Sequence, residues 1–329
     1  MTEVKLIVHR LTRQTLDGPI SLDAGEHLAT GLSLSLLKQC HQTFRRLQPK
    51  EWGKFSETNV AVEALMHDYL ADQQSFVSLT RRLSEHMSQY LSDCEQSFDA
   101  WLLMAHDTLQ QQFHCYWLPP MVSLALDGAR VVEVEHFDTS QIKAGFLLDL
   151  GEKAQNNDQP YLQCYMAYGM RALAKALVDG FGFEAAVETE NETHILLENL
   201  RTFVATQPET EQRALHQQMI DVCLEHDKIG APIELQALTD RLPDSARDAF
   251  VEFLGQCDQP PPERVHLNRQ YLKRYVRFYG RTRDLSVSFS SEQLGRGVTY
   301  VPEEDILYIH QIPESLKKQL KRYLHQESM

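Results

Sequence analysis

Nothing in the 329 residues approaches the run of roughly 20 apolar residues that a membrane-spanning helix needs, so no span is expected. The opening Met1-Thr2-Glu3-Val4-Lys5 lacks the basic stretch and apolar core of a secretory leader, so export is not expected either. Cysteine is sparse and scattered: Cys40, Cys94, Cys115, Cys164, Cys223 and Cys257, with no C-x-x-C pair. In a leaderless chain of this length that pattern reads as reduced thiols of a reducing cytoplasm, not as a disulfide framework. Hydrophobic and charged shares of 43% and 24% are those of a folded domain and speak against disorder.

Catalytic signatures are missing as well. There is no G-x-x-x-x-G-K-[ST] phosphate loop, no G-x-S-x-G elbow and no H-E-x-x-H. Gly180-Phe181-Gly182 and Gly295-Arg296-Gly297 lack the third glycine and the strand–turn–helix frame of a dinucleotide site, so they read as a helix stop and a hairpin turn. Cys223 and His226 share one helix face, and His106, His114 and Cys115 lie close in sequence, but neither group supplies the four ligands of structural zinc. Glu303-Glu304-Asp305 has the carboxylates for magnesium, yet its place after Pro302 is that of a solvated turn. The expectation is a non-enzyme with no catalytic residue, no metal and no cofactor.

Charge is present in quantity, and it is unevenly placed. The net charge of −14 divides into −18 over residues 1–260 and +4 over residues 261–329. An acidic body with a basic C-terminal part points to an anionic partner for one face only.

Hydrophobic periodicity suggests a strand at 4–9 and a short one near Leu22, then long helices over 26–47 and 60–91. Strand-length apolar runs follow at 100–105, 113–118, 121–126, 131–134 and 142–150. Helical patterns cover 161–179, 190–206, 209–227 and 243–255, with Gly180 as a C-cap and Pro208 as a break. After Pro260-Pro261-Pro262 come a basic helix at 267–279, strands near 285–289, 298–301 and 306–310, and a last helix from Pro313 to Leu324. The fold class expected is α+β. A mixed N-terminal domain with a mainly antiparallel sheet and two long helices spans 1–151, and a polar linker spans 152–160. A mostly helical domain with a small antiparallel β element spans 161–329.

The one local concentration with a mechanism is 264–283. It holds Arg264, Arg269, Lys273, Arg274, Arg277, Arg281 and Arg283 and no acidic residue. On a helix, Arg269, Lys273 and Arg277 at i, i+4 and i+8 would form a cationic ridge about 12 Å long. Leu267, Tyr271, Leu272, Tyr275, Phe278 and Tyr279 would pack that helix on its domain and leave the cations to DNA phosphates. The bland alternative is a basic helix paired with the protein's own acidic body. Lys317, Lys318, Lys321 and Arg322 form a second cluster that complements the dipole of the last helix.

The order in the C-terminal third is distinctive: a basic helix, Leu285-Ser286-Val287-Ser288-Phe289, Leu294-Gly295-Arg296-Gly297-Val298-Thr299-Tyr300, Pro302-Glu303-Glu304-Asp305-Ile306-Leu307-Tyr308-Ile309, then Ile312-Pro313-Glu314-Ser315-Leu316. Together with Phe55-Ser56-Glu57, Ile142 to Leu150, and Gly169, Arg171 and Phe181-Gly182, it resembles the NdpA/YejK nucleoid-associated family over essentially the whole chain. The resemblance implies a DNA-associated bacterial protein of the cytoplasm and nucleoid, with double-stranded DNA and type II topoisomerase subunits (topoisomerase IV) as partners and no catalytic activity. It carries over no DNA-contacting residues, and it leaves homodimerisation open. The density of Arg and Lys in 264–283 exceeds what the family pattern requires.

Overall fold

Ten-residue alternation at the N-terminus sets the frame of the structure, a computed structural model that describes residues 4–25, 31–155, 158–290 and 293–326. The chain is mixed α+β and divides into two units, Met1–Leu267 and Asn268–Met329. The first unit carries strands β1 (Val4–Arg13), β2 (Ser21–Asp23), β3 (Glu51–Phe55), β4 (Phe98–Asp107), β5 (Gln112–Leu118), β6 (Pro120–Asp127), β7 (Arg130–Phe137), β8 (Ala144–Asp149), β9 (Leu162–Met166), β10 (Phe183–Ala185), β11 (Ile233–Glu234) and β12 (Arg264–Val265). Its helices are α1 (Gly31–Arg46), α2 (Ala61–Leu70), α3 (Phe76–Ser92), α4 (Leu150–Ala154), α5 (Arg171–Phe181), α6 (Thr189–Ala205), α7 (Glu209–Ile229), α8 (Leu235–Arg241) and α9 (Asp244–Gln256).

Eight strands form one antiparallel sheet in the order β10-β3-β9-β8-β5-β4-β1-β2. Its spine is β1 against β4, with Val4 opposite Asp107 and Arg13 opposite Phe98. Both faces are apolar over the stretches that helices cover. On one, α2, α3 and α5 bring Val62, Leu79, Leu83 and Leu177 onto Leu102, Met104, Phe113 and Phe146. There Phe146 and Phe181 stack with ring centroids 4.0 Å apart. On the other, α1 packs Leu37, Cys40 and Phe44 against Leu6, Leu103, Tyr116 and Leu147. The later helices enclose their own apolar contact, with Phe203 on Phe250 at 4.9 Å.

Several expectations shift in register. The helical pattern over 60–91 is two helices, broken where Asp72 takes φ 57° and Ser75 caps α3 by accepting from Ser78 N–H. Of the helix expected over 26–47, Gly31–Arg46 form α1, and residues 26–30 lie outside the described residues. The 161–179 helix begins as strand β9: Leu162 and Cys164 are buried, alternate with Gln163 and Tyr165, and lie between β8 and β3. Because β8 and β9 are neighbours in one sheet, the polar run at 152–160 connects two strands of a single unit, and the chain divides at Leu267 instead. The C-cap of α5 is Gly182, at φ 69°, rather than Gly180. Gly180 serves close packing, since a Cβ there would sit 3.3 Å from Met87 Cα on α3.

All six cysteines are free, and burial raises the thiol pKa of Cys40 to about 12. Among the described residues no helix is long and apolar enough to cross a membrane.

The second unit carries α10 (Arg269–Val276), β13 (Arg277–Arg281), β14 (Ser286–Ser290), β15 (Val298–Val301), β16 (Ile306–Ile309) and α11 (Glu314–Gln326). It is a pair of two-stranded hairpins flanked by two amphipathic helices.

Candidate nucleic-acid interface

The basic segment does not form one long helix. Asn268 Oδ1 accepts from Tyr271 N–H at 3.0 Å and starts α10, which ends at Val276 after eight residues. Arg277-Phe278-Tyr279-Gly280-Arg281 then runs as a strand with Phe278 opposite Phe289 and Gly280 opposite Val287. Propensity and pairing act together. Val276, Phe278 and Tyr279 favour extended backbone, Gly280 weakens a helix, and Val287 and Phe289 offer a matching strand. The Phe278 and Phe289 rings meet at 5.4 Å, a cross-strand aromatic pair.

The expected 12 Å ridge is therefore corrected. Arg269 and Lys273 share one face of α10, while Arg277 opens β13, and its side chain lies outside the described residues. Arg269 is half-buried, and Lys273 and Arg274 are exposed in the last turn of α10, where cations complement the helix dipole. Arg281 closes β13 opposite Ser286, and Arg283 stands in the following turn, which Thr282 N–H holds by donating to Leu285 O at 2.7 Å. Among the described residues no carboxylate lies within salt-bridge distance of Lys273, Arg274, Arg281 or Arg283.

Arg264 behaves differently. It lies in the first unit, on β12, with its side chain 25% exposed between Glu152 at 3.1 Å and Glu234 at 2.7 Å. Burial alone would lower its pKa, but the hydrogen bonds to Glu234 and Glu152 outweigh that and raise it. This cation is bound by the protein's own carboxylates and staples α4 to β11 and β12.

The second cluster lies on α11, where Lys318, Lys321 and Arg322 are exposed and Lys317 reaches Glu314 at 3.5 Å. On the same helix Leu316, Leu320, Tyr323 and Leu324 are also exposed. Arg296 adds an exposed cation in the turn at Gly295, whose φ is 78°. That arginine was visible only as the centre of a glycine pair, and its use as a cation needed the hairpin. Glu303-Glu304-Asp305 is an exposed turn between β15 and β16, and Tyr300 hydroxyl donates to Asp305 at 2.9 Å.

The histidines near β4 and β5 are engaged in the core. His114 Nδ1 lies 2.8 Å from Tyr116 hydroxyl on the α1 side of the sheet, and His106 Nδ1 lies 2.7 Å from Tyr69 hydroxyl on the other side. Burial, then Lys5, lowers the His106 pKa to about 4. His226 Nδ1 meets Pro232 O at 2.8 Å. Among the described residues no group of three His, Cys, Asp or Glu side chains is arranged to hold a metal ion.

An acidic α+β unit joined to a small unit rich in exposed cations defines a chain of strongly divided charge, and known proteins share its whole length. The chain belongs to the family described as nucleoid-associated protein YejK, which matches residues 7–317. A nucleoid-associated protein of Azotobacter vinelandii is 27% identical, with 96% of this chain and 97% of the relative covered. One of Pseudomonas paraeruginosa is 25% identical, with 96% of each covered. One of Shewanella sp. strain ANA-3 is 27% identical, with 89% of each covered.

Proposed function

We propose that the protein is a non-enzymatic component of the nucleoid that binds double-stranded DNA without strong sequence preference through its C-terminal unit. The observation that carries this reading is the set of exposed cations on α10 and the β13–β14 hairpin, with no carboxylate partner among the described residues. Phosphate contacts of this kind position a protein on the duplex but read no bases. The same binding would place the protein where topoisomerase IV and the folded chromosome meet. Fluorescence anisotropy with duplexes of unrelated sequence tests it. Equal affinities at low salt are expected, and a preference of a hundredfold or more for one sequence would overturn the non-specific reading.

One observation favours a second reading, an adaptor that reaches the nucleoid through a partner such as topoisomerase IV. Strands β6 and β7 pair only with each other among the described residues, and Leu124 and Leu126 on this ribbon are 73% and 78% exposed. Exposed apolar patches of that kind mark protein contacts. Binding to purified topoisomerase IV after nuclease treatment separates the readings: an adaptor keeps its partner when DNA is gone.

A further inference from the structure

The α1 side of the large sheet is apolar along most of its length but turns polar at one end. There β4 finishes on Asp107, β5 begins on Gln112 and β8 finishes on Asp149, directly opposite one another in the register. Gln163 of β9 and Trp52 of β3 face each other on the same side, one step further in. Helix α1 covers the apolar part and leaves this row open. The result is a cleft of about 660 Å³ within the first unit, with Lys38, His41 and Arg45 of α1 along one wall and the loop at Gly230 along another.

The cleft has a worked floor and unspent hydrogen-bonding capacity. Tyr116 hydroxyl lies 2.8 Å from His114 Nδ1 and 3.4 Å from His41 Nδ1, which fixes both rings. Asp149 Oδ1 accepts from Glu152 N–H and Asp107 Oδ1 from Leu109 and Gln110 N–H, each at 3.0 Å, so one oxygen of each carboxylate holds the backbone in place. Gln112 and Gln163 are half-buried residues that line the cleft, and their amides have no protein partner among the described residues. Both amides open into the cleft, where a ligand can take the place of water as their hydrogen-bond partner. Among the described residues Arg45 spends only its Nε, donating to Ile229 O at 3.0 Å, and Lys38 is exposed at the rim.

We propose that this cleft binds a nucleoside phosphate, with the base lying over the sheet against Trp52 and within reach of the Gln112 and Gln163 amides, and the phosphate toward Lys38 and Arg45. Three features select that chemistry. A planar heteroaromatic ring with mixed donors and acceptors on its edge matches carboxamides, which pair with bases through two hydrogen bonds at once. Trp52, already packed on His266 at 4.6 Å between ring centroids, offers a fixed indole for stacking. The volume lies in the range of small-molecule sites. The cleft lies wholly within the first unit, so this site stands independently of the DNA reading.

Isothermal titration of the full chain with AMP, GMP, CMP and UMP, with the four nucleosides, and with inorganic phosphate tests it. At least one nucleotide is expected to bind more tightly than phosphate alone. The Gln112→Leu/Gln163→Leu variant should weaken that nucleotide roughly tenfold, since about two hydrogen bonds are lost. Lys38→Glu, an exposed change on α1 that leaves folding intact, should weaken the nucleotide but not its nucleoside. No heat with any nucleotide at millimolar concentration would overturn the proposal. So would binding that survives the paired glutamine change, or Lys38→Glu should the paired variant fail to fold.

Discussion

Replacing Arg264 separates most sharply the cations paired within the protein from those proposed to meet DNA. In Arg264→Ala the Glu152 and Glu234 carboxylates lose a partner at 3.1 and 2.7 Å, and β11, β12 and α4 lose the group that joins them. A hydrogen bond to a charged group contributes about 1.5–3 kcal/mol when well buried. Here the Glu234 side chain is 49% exposed and the arginine 25%, so solvent screening reduces the effect to about 1–2 kcal/mol in all. For a unit of this size that is a fall in Tm of roughly 2–6 °C. Calorimetry or urea unfolding measures the stability, and anisotropy on a fluorescent duplex measures binding. The expected pair is reduced stability with unchanged DNA affinity. Unchanged stability with weakened DNA binding would refute the assignment and return Arg264 to the interface.

Other perturbations have equally definite outcomes. Gly180→Val forces α5 away from α3, where Met87 Cα lies 3.3 Å from the new Cβ, and should cost about 1–3 kcal/mol in urea unfolding. Phe146→Ala removes the ring stacked on Phe181 and should cost about 3–5 kcal/mol. His9, His41 and His106 are held near pKa 4, chiefly by burial and secondarily by the nearby cations Arg81, Arg45 and Lys5 respectively. Because the folded values lie below the unfolded one, their contribution to stability is complete above about pH 6.5 and is lost as pH falls toward 4. Unfolding free energies at pH 7 and pH 5 should therefore differ, and His106→Gln should reduce the difference; an equal difference in wild type and variant would contradict this. Leu124→Ser with Leu126→Ser on the exposed ribbon should move stability by no more than about 0.5 kcal/mol, while an adaptor would lose its topoisomerase.

The sequence showed the long elements well, because period and length agree there. β1, β4, β5 and the helices α6, α7 and α9 have one strong period each, and their neighbours reinforce it. It misled where a short element is decided by its partners. Leu162–Met166 carries enough apolar residues to read as helix, but strands waiting on both sides make it β9. Arg277–Arg281 follows a true helix without a break, and only pairing with Ser286–Ser290 turns it into a strand. β3 has no clear period in the sequence, since Gly53 and Lys54 separate Trp52 from Phe55, yet the backbone approach at Gly53 is so close that a Cβ would lie 2.0 Å from Glu184 O. The basic segment was legible as a concentration of charge. Which of its members the protein uses internally was not, since Glu152 and Glu234 lie 112 and 30 residues from Arg264 and no local pattern joins them. The polar end of the sheet was hidden for the same reason: Gln112, Asp149 and Gln163 become one surface only in the register of β5, β8 and β9.

The central claim is that exposed cations of the C-terminal unit hold DNA phosphates. Binding of a duplex across a salt series, for the wild type and for Lys273→Ala/Arg274→Ala/Arg281→Ala/Arg283→Ala, tests it most directly. If those four side chains neutralise phosphates, log K falls against log[salt] with a slope near −3.6, roughly −0.9 per contact, and the variant loses most of that slope on every duplex. A wild type that shows no salt dependence, or a variant that binds with the same affinity and slope, would contradict the account.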